Sequence, residues 1–191
     1  MTKDHIITLP NPHLRQKSKR VGLITEEIKR IVTAMEAATI DWENSRDHEV
    51  GVALAAVQID HLYKIVVVRN NYDDKDDHSF TTFINPHITK FEGDIEEDFE
   101  GCLSVKNVYG KVPRYTTVKV KALDLEGKEF RVTAEGFLAR IFQHEIDHTN
   151  GVLFIDHIKD NPEAFFHLLP DGKLDALNYE VDVAHNTILW K

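Results

Sequence analysis

The spacing of apolar positions predicts a helix near the N-terminus, followed by two strands. From residue 26 to residue 38 the apolar residues follow the three- and four-residue spacing of one helix face: Ile28, Ile31, Val32, Met35 and Ala38. Thr25 is a suitable N-cap, and the polar stretch 39–49 predicts a loop. The apolar runs 65–68 and 80–84 predict strands, and we expect the second to stop before Asn85-Pro86.

The middle of the chain predicts a β-hairpin that leads into a buried helix. Apolar residues alternate with polar ones on both sides of residues 124–127, whose Asp and Gly suit a type I turn: Val118, Val120, Ala122, then Phe130, Val132, Ala134. From about residue 134 to residue 150 the period becomes helical and apolar on most sides, and Gly151 suits the helix end. The order of the predicted elements, a helix, several strands and then a helix, favours an α+β fold, with antiparallel or mixed sheets packed around a buried central helix.

After Asp156 we expect an appendage packed on the main domain. Asn161-Pro162 predicts the start of a short helix through Leu169, ended by residues 170–172. Alternating apolar and acidic residues over 179–183 predict a strand. The expected division is a catalytic domain over residues 1–158 and an appendage over residues 159–191.

Composition limits the classes of protein that fit. The chain has 191 residues, 42% of them hydrophobic and 29% charged, as in a globular domain. A net charge of −9 argues against direct nucleic-acid binding. There is no apolar signal core and no run of apolar residues long enough to span a membrane. Cys102 is the single cysteine, which excludes an internal disulfide, and we therefore expect a cytoplasmic protein.

Two histidines, a glutamate and the cysteine carry the candidate chemistry. In a helix, His144 and His148 project from one face, with about 6 Å between their Cβ atoms. That spacing can hold a transition metal, and Glu145 then lies beside any water on the metal. Cys102 is the obvious third ligand, which leaves one tetrahedral position open, as in catalytic sites. The residues therefore predict a metal-dependent hydrolase.

The competing interpretation is that both histidines are half-buried core residues. Two unpaired imidazoles and a carboxylate in a buried helix would be costly without a shared partner. Cys102 also stands in a glycine-bounded turn, from which a thiolate can point outward. The small residues of 51–57 would let a ligand approach closely, and Gln58 can polarise a carbonyl.

Three segments resemble the motifs of the peptide deformylases: GVALAAVQ at 51–58, EGCLS at 100–104 and QHEIDH at 143–148. The resemblance extends from about residue 7 to residue 155. It implies a hydrolase that removes the N-formyl group from the N-terminal formylmethionine of nascent polypeptides, by attack of metal-bound hydroxide on the formyl carbonyl. It also implies a cytoplasmic enzyme whose partner is the formylmethionyl peptide.

The resemblance implies a role for each matching residue. Cys102, His144 and His148 would bind one Fe²⁺ per chain, with Zn²⁺ or Ni²⁺ as substitutes. Glu145 would be the general base and then the acid, and Gln58 with the Leu103 backbone N–H would stabilise the oxyanion. The substrate backbone would pair with Gly51, Val52 and Ala53. The remaining substrate contacts would come from Glu100, Gly101, Tyr109, Arg140 and Ile141.

Three positions depart from the family pattern. Ala53 stands where the motif usually has a second glycine, and Tyr109 where many relatives have arginine. Arg140 replaces an aliphatic residue that lines the methionine pocket. It either reaches solvent or pairs with a carboxylate such as Glu100, or it reshapes that pocket. A transient ribosome contact suits the implied role, but the acidic residues after Asp156 do not resemble the basic helix by which some relatives dock.

Two alternatives stay open at the level of sequence. One is an HExxH zinc endopeptidase, for which Asp156 or Glu163 would have to supply the third ligand while Cys102 stays idle. The other is a non-catalytic deformylase-like module that binds peptide or metal, although such a module needs neither Glu145 nor Gln58. The sequence fixes neither the native metal nor the oligomeric state.

Overall fold

The computed structural model describes residues 1–46 and 49–190. Its helices are α1 (Glu26–Glu43), α2 (Gly136–His148) and α3 (Phe154–Ile158), with short 3₁₀ segments at Lys3–His5, Pro12–Arg15, Ala56–Ile59 and Pro162–Ala164. Its strands are β1 (Ala53–Ala55), β2 (Ile65–Arg69), β3 (Phe80–Cys102), β4 (Val105–Leu123), β5 (Glu129–Glu135), β6 (Phe165–Leu168) and β7 (Leu174–Ala176). The predicted α+β class is confirmed.

The strands form one antiparallel sheet in the order β1-β2-β3-β4-β6-β7, and β5 pairs with β4 beside that path. The predicted hairpin is confirmed, because Val118 pairs with Ala134 and Val120 with Val132. Strand β1 stands at the end of the order, so one of its edges is not paired with another strand of the described chain. An unpaired strand edge is a surface to which an extended peptide can add.

Three groups of buried apolar residues hold the layers together. The α2 side chain Phe142 packs edge-on against Phe83 of the sheet, with ring centroids 4.8 Å apart. Met35 of α1 belongs to a second buried group on the other side of β1 and β2. Phe154 and Phe165 belong to a third group under the C-terminal segment. The sheet is therefore buried against a helix on each of two sides.

Helix α1 is longer than the sequence predicted. The predicted loop began at Thr39, yet the helix continues to Glu43. Thr39 is fully buried and its hydroxyl donates to the Met35 carbonyl at 2.9 Å, while the Glu43 carboxylate pairs with buried Arg69. These partners come from packing, which polarity alone does not reveal. Residues 47–48 of the predicted loop lie outside the described residues.

The prediction that a strand stops before Asn85-Pro86 is wrong, since β3 runs on to Cys102. The pairing with β4 shifts register between Ile84 and His87, and Asn85 adopts a left-handed conformation with φ 53°. The Asn85 side chain accepts from the Val21 backbone N–H and donates to its carbonyl. A bulge thus accommodates Pro86, which has no N–H to give to the ladder.

Both predicted elements of the C-terminal segment are wrong. The helix expected through Leu169 ends at Ala164, and residues 165–168 form β6, because Phe165 is fully buried where it pairs with Gly110. The strand expected over 179–183 is a single π-helical turn that Asn178 caps. The division at residue 158 stays a prediction. No helix in the described part of the chain is long and apolar enough to cross a membrane.

Candidate metal centre and cleft

Helix α2 and the end of β3 bring a cysteine and two histidines together. His144 and His148 lie one turn apart on α2, with their Nε2 atoms 3.2 Å apart. The Cys102 Sγ atom lies 3.3 Å from His148 Nε2. All three ligand atoms lie within 4.8 Å of one another. They are the three residues that the sequence predicted as metal ligands.

The chemistry of these donors fits a single cation. An ion with tetrahedral bonds of about 2.0–2.3 Å separates its ligand atoms by about 3.3–3.6 Å, close to the separations observed. Burial, followed by the nearby charge of His144, lowers the pKa of His148 well below its usual value, so this ring is neutral as a ligand must be. The Ser104 backbone N–H approaches Cys102 Sγ at 3.4 Å, within hydrogen-bond range of a sulfur acceptor.

Glu100 fixes the orientation of one ligand ring. Its Oε2 atom lies 2.9 Å from His144 Nδ1, which leaves Nε2 to face the cysteine and His148. Burial lowers the pKa of His144, but hydrogen bonding with Cys102 and Glu100 outweighs burial and raises that pKa well above its usual value. Positive charge is therefore stabilised at this point of the structure.

Two arginines hold Glu100 in turn. Arg114 donates to both of its carboxylate oxygens, at 2.9 and 3.1 Å, and Arg140 donates to Oε1 at 2.9 Å. Burial raises the pKa of Glu100, but hydrogen bonds with His144 and Arg114 outweigh it and hold that pKa below its ordinary range. Glu100 is therefore ionised, and it serves the metal centre through His144.

Glu145 is buried beside this centre in an unusual environment for an acidic group. Its Oε2 atom has no hydrogen-bond partner among the described residues. Burial raises the pKa of this carboxyl to about 7, with a smaller opposing effect from His144. A carboxyl group with such a pKa can both accept and release a proton near neutral pH.

Gln58 presents its amide nitrogen to the same place. Its Oε1 atom accepts from the Ala55 backbone N–H at 2.9 Å, which fixes the orientation of the amide. Its Nε2 atom lies 3.2 Å from Ser104 Oγ and 3.6 Å from Cys102 Sγ. Leu103 follows Cys102 in the turn and lines the same cavity.

A cleft of about 490 Å³ opens in front of these groups, which is within the usual range for ligand sites. Most residues predicted from the sequence line it: Val52, Ala53, Gln58, Glu100, Gly101, Cys102, Leu103, Tyr109, Arg140, Ile141, His144 and Glu145. Gly51 and His148 do not. Gly51 is buried against α1, and His148 lies beneath the cleft floor.

Arg140 does not reach solvent, because its guanidinium is buried and fully engaged. Besides Glu100, it donates to the backbone carbonyls of Glu96, Asp98 and Val112 at 2.7–3.3 Å. Pairing with Glu100 was one of the two interpretations left open by the sequence. Its charge is neutralised inside the wall of the cleft, although the residue lines the cavity.

Tyr109 stands at the cleft mouth. Its hydroxyl donates to Glu49 at 2.6 Å. Burial, and then the Glu49 carboxylate, raise the pKa of Tyr109 above its ordinary value. Tyr109 is therefore a neutral hydrogen-bond donor at this position.

Sequence reasoning missed the residues that hold the cleft walls. Glu43 accepts from the Gly51 backbone N–H at 2.9 Å and from Arg69 Nη1 at 2.5 Å. Arg69 also donates to the carbonyls of Lys75 and Asp77, so one buried ion pair joins α1, the residues just before β1 and the loop after β2. Arg114 was missed as well. The signal in each case was a charged residue within an apolar pattern.

The two candidates for the third ligand of the endopeptidase alternative lie elsewhere. Asp156 pairs with Arg15 and accepts from the Leu153 backbone N–H. Glu163 is exposed in a 3₁₀ turn. Among the described residues, the only group of three metal-type ligands is formed by Cys102, His144 and His148.

Comparisons with known proteins agree on one family. A sequence model of the polypeptide deformylase family matches residues 3–163. A peptide deformylase of Thermomicrobium roseum is 42% identical over 158 residues, covering 81% of this chain and 85% of that protein. One of Halothermothrix orenii is 45% identical over 149 residues, covering 78% and 88%. The crystal structure of a Synechococcus elongatus peptide deformylase in complex with actinonin has a TM-score of 0.72 at 35% identity, covering 82% and 80%.

Proposed function

The chain belongs to the polypeptide deformylase family, whose metal-dependent hydrolases remove the N-formyl group from N-formylmethionyl peptides, and we propose that Cys102, His144 and His148 hold its metal ion. The observation that carries this assignment is the convergence of their three ligand atoms within 4.8 Å, beside a buried carboxyl group. A divalent ion held there supplies Lewis-acid chemistry, which lowers the pKa of water and polarises a carbonyl.

Ferrous iron is the ion that we propose for the native enzyme, with zinc or nickel as substitutes and one ion per chain. One thiolate and two imidazoles suit iron and zinc alike, so availability in the cell decides between them. The assignment is tested by anaerobic purification from cells grown in unsupplemented medium, followed by elemental analysis. One zinc and no iron per chain would refute it.

Glu145 is the proposed general base and acid. It takes a proton from the attacking water and delivers it to the amine that leaves. Its carboxyl has a free oxygen and a pKa of about 7, so the ionised and protonated forms are both accessible at neutral pH. Such proton transfer typically contributes about 100- to 10,000-fold to the rate.

Gln58 Nε2 and the Leu103 backbone N–H are the proposed donors to the oxyanion. The Gln58 amide is fixed by its bond to the Ala55 N–H, so it does not have to be ordered during the reaction. Removal of one such donor typically costs about 100- to 1000-fold in rate.

The substrate peptide is proposed to pair along residues 51–53, at and just before the start of β1, although the Gly51 N–H already donates to Glu43. This strand gives main-chain hydrogen bonds, and Ile141 and Val52 line the cleft that would take the methionine side chain. Arg140 and Glu100 form part of the wall, and Gly101 and Tyr109 line it towards the mouth. Arg140 therefore contributes through its hold on Glu100 and not as a free charge.

Release of formate from formyl-Met-Ala-Ser tests these roles, with protein loaded anaerobically with ferrous iron. We expect release by the wild type and at least a 100-fold loss in Glu145→Ala, which should still bind one metal per chain. Glu126→Ala, at an exposed turn position, is the matched control. Full activity of Glu145→Ala would exclude its role. Metal-loaded wild type that releases no formate would contradict the whole assignment.

We propose that the enzyme acts in the cytoplasm on chains leaving the ribosome, without docking through its C-terminal segment. That segment carries exposed acidic groups such as Asp175, Glu180 and Asp182, which suit ribosomal RNA poorly. Co-sedimentation with ribosomes at low salt tests this. Binding that is lost when residues 177–191 are removed would refute it.

A further inference from the structure

The C-terminal hairpin lies beyond the family match and is built onto the catalytic cleft. The match ends at residue 163, and β6 and β7 follow it. Strand β6 pairs with β4 where Phe166 stands opposite Tyr109. The Phe166 ring also packs edge-on against Phe99 of the cleft wall, with centroids 5.0 Å apart. The hairpin is therefore fixed to the cleft at two points.

The turn of this hairpin forms one wall of a second groove. We call this the C-terminal groove, and it lies between residues 105–109 and residues Leu168, Leu169 and Pro170. Its volume is about 360 Å³. Leu168 and Leu169 are half-buried and Pro170 is exposed, so the wall presents apolar surface to the groove.

The C-terminal groove adjoins the catalytic cleft. Five residues line both: Trp42, Glu49, Cys102, Leu103 and Tyr109. The hydrogen bond between Tyr109 and Glu49 stands at their junction. A peptide that leaves the cleft past Tyr109 would therefore reach the groove.

A formyl peptide has only its N-terminus at the reacting atoms. The rest of the chain must leave the cleft through an opening, and each extended residue adds about 3.3–3.6 Å to its reach. A groove beside the cleft, lined by the apolar side chains of the hairpin turn and by polar ones such as Arg46 and Asn107, suits an extended peptide with its backbone amides better than a small ligand. Each contact that the outgoing chain makes there raises its affinity.

We propose that the C-terminal groove binds the substrate peptide beyond its first residues, so that this enzyme favours longer formylmethionyl chains. The inference rests on the proposed function. The binding surface is formed in part by the hairpin turn, which lies beyond residue 163.

The ratio of kcat/KM for a formyl peptide of about eight residues to that for formyl-Met-Ala-Ser tests the proposal. We expect a ratio of about ten in the wild type, the effect of about 1.4 kcal/mol of additional binding. In Leu169→Glu, and in the exposed Pro170→Glu variant, we expect the ratio to fall to about one. Val181→Glu is the matched control, because Val181 is 77% exposed in the same segment and does not line the groove, and it should keep the wild-type ratio.

A wild-type ratio near one, or ratios unchanged in both groove variants, would overturn the proposal. Binding of the same peptides without the formyl group, labelled at their C-termini and followed by fluorescence anisotropy, separates it from the proposed function. If no formate is released from either peptide, the proposed function fails, and the length dependence of binding decides about the groove. If the wild type binds the longer peptide more tightly and Leu169→Glu does not, the result supports peptide binding in the groove. Equal binding of the two peptides by the wild type refutes it.

Discussion

The buried Glu145 carboxyl group lowers the stability of the fold when it is ionised. A carboxylate without a hydrogen-bond partner in a buried site is unfavourable, and its raised pKa measures that cost. The proton equilibrium near neutral pH is what proton transfer requires. The sequence located this residue beside a metal motif, but its burial and its unpartnered oxygen come from the packing around α2.

We predict that Glu145→Gln stabilises the metal-free protein above pH 7 and not at pH 4.5. The folded-state pKa of about 7 lies above the ordinary 4.5, so the stability that protonated Glu145 contributes is lost as pH rises between these values. The difference in free energy of unfolding should reach about 1–3 kcal/mol at pH 8. Urea denaturation with a chelator present measures it. Equal stability of both proteins at pH 8 would contradict the prediction.

Arg140 is a structural residue that resembled a specificity residue in the sequence. Its guanidinium joins Glu100 to three backbone carbonyls of the β3–β4 hairpin. A planar group with several donors can do this, whereas a lysine ammonium cannot reach all four. Position one turn before His144 did not reveal this role, because the partners come from distant parts of the chain.

We predict that Arg140→Met lowers the free energy of unfolding by about 2–4 kcal/mol, because buried acceptors lose their donor. Arg131→Met is the matched control, since the Arg131 side chain is 75% exposed, and it should change stability by less than about 0.5 kcal/mol. Urea denaturation of both variants measures the difference. If Arg140→Met were as stable as the control, the hydrogen bonds of Arg140 would not contribute to the stability of the fold.

At the scale of elements, apolar periodicity predicted the helices and strands whose contacts follow a regular pattern along the chain. Helix α2 and the β4–β5 hairpin follow their apolar patterns closely. The predictions were wrong where a contact with a residue distant in sequence decides where an element ends or which type it is. Helix α1 extends to Glu43 because the Arg69 guanidinium donates to the buried Glu43 carboxylate. Strand β3 continues through Pro86 because the Val21 backbone hydrogen-bonds the Asn85 side chain. Phe165 forms a strand because a sheet edge lies beside it.

Close packing between α1 and the first residues of the cleft strand gives a prediction. A Cβ atom on Gly51 would lie 2.7 Å from Thr39 Cγ2 and 2.9 Å from the Thr39 carbonyl oxygen. Gly51→Ala should therefore displace this strand towards the cleft and lower kcat/KM for formyl-Met-Ala-Ser by about 10- to 100-fold. Gly22→Ala is the matched control, because nothing lies within 4 Å of its Cβ position. Equal activity of the two variants would show that the strand tolerates the shift.

At the scale of the whole molecule, the three proposed metal ligands come from elements far apart in the sequence. Cys102 ends the long strand β3, and His144 and His148 lie on α2 after the β5 hairpin. An ion bound by all three joins sheet and helix, so it binds the folded chain and not the unfolded one. The ion is then a ligand that stabilises the whole fold.

We predict that chelation lowers the melting temperature of the wild type by about 8–16 °C. Free metal at 1000 times its dissociation constant adds about 4 kcal/mol, and about 1 kcal/mol shifts a chain of this size by about 2–4 °C. Differential scanning calorimetry with and without chelator measures the shift. Cys102→Ser should show a much smaller one. An equal shift in both proteins would mean that the ion binds elsewhere.

The sequence by itself determined the α+β class, the second helix, the central hairpin and the residues proposed for the metal centre. These depend on local periodicity and on motifs whose residue types carry their own chemistry. Only the tertiary structure decided the ends of α1 and β3, the burial of Glu145, the hydrogen bonds of Arg114 and Arg140 to Glu100, and the C-terminal hairpin beside the cleft. Each of these depends on contacts between residues distant in sequence, and the free energy of such contacts leaves no periodic signal in the chain.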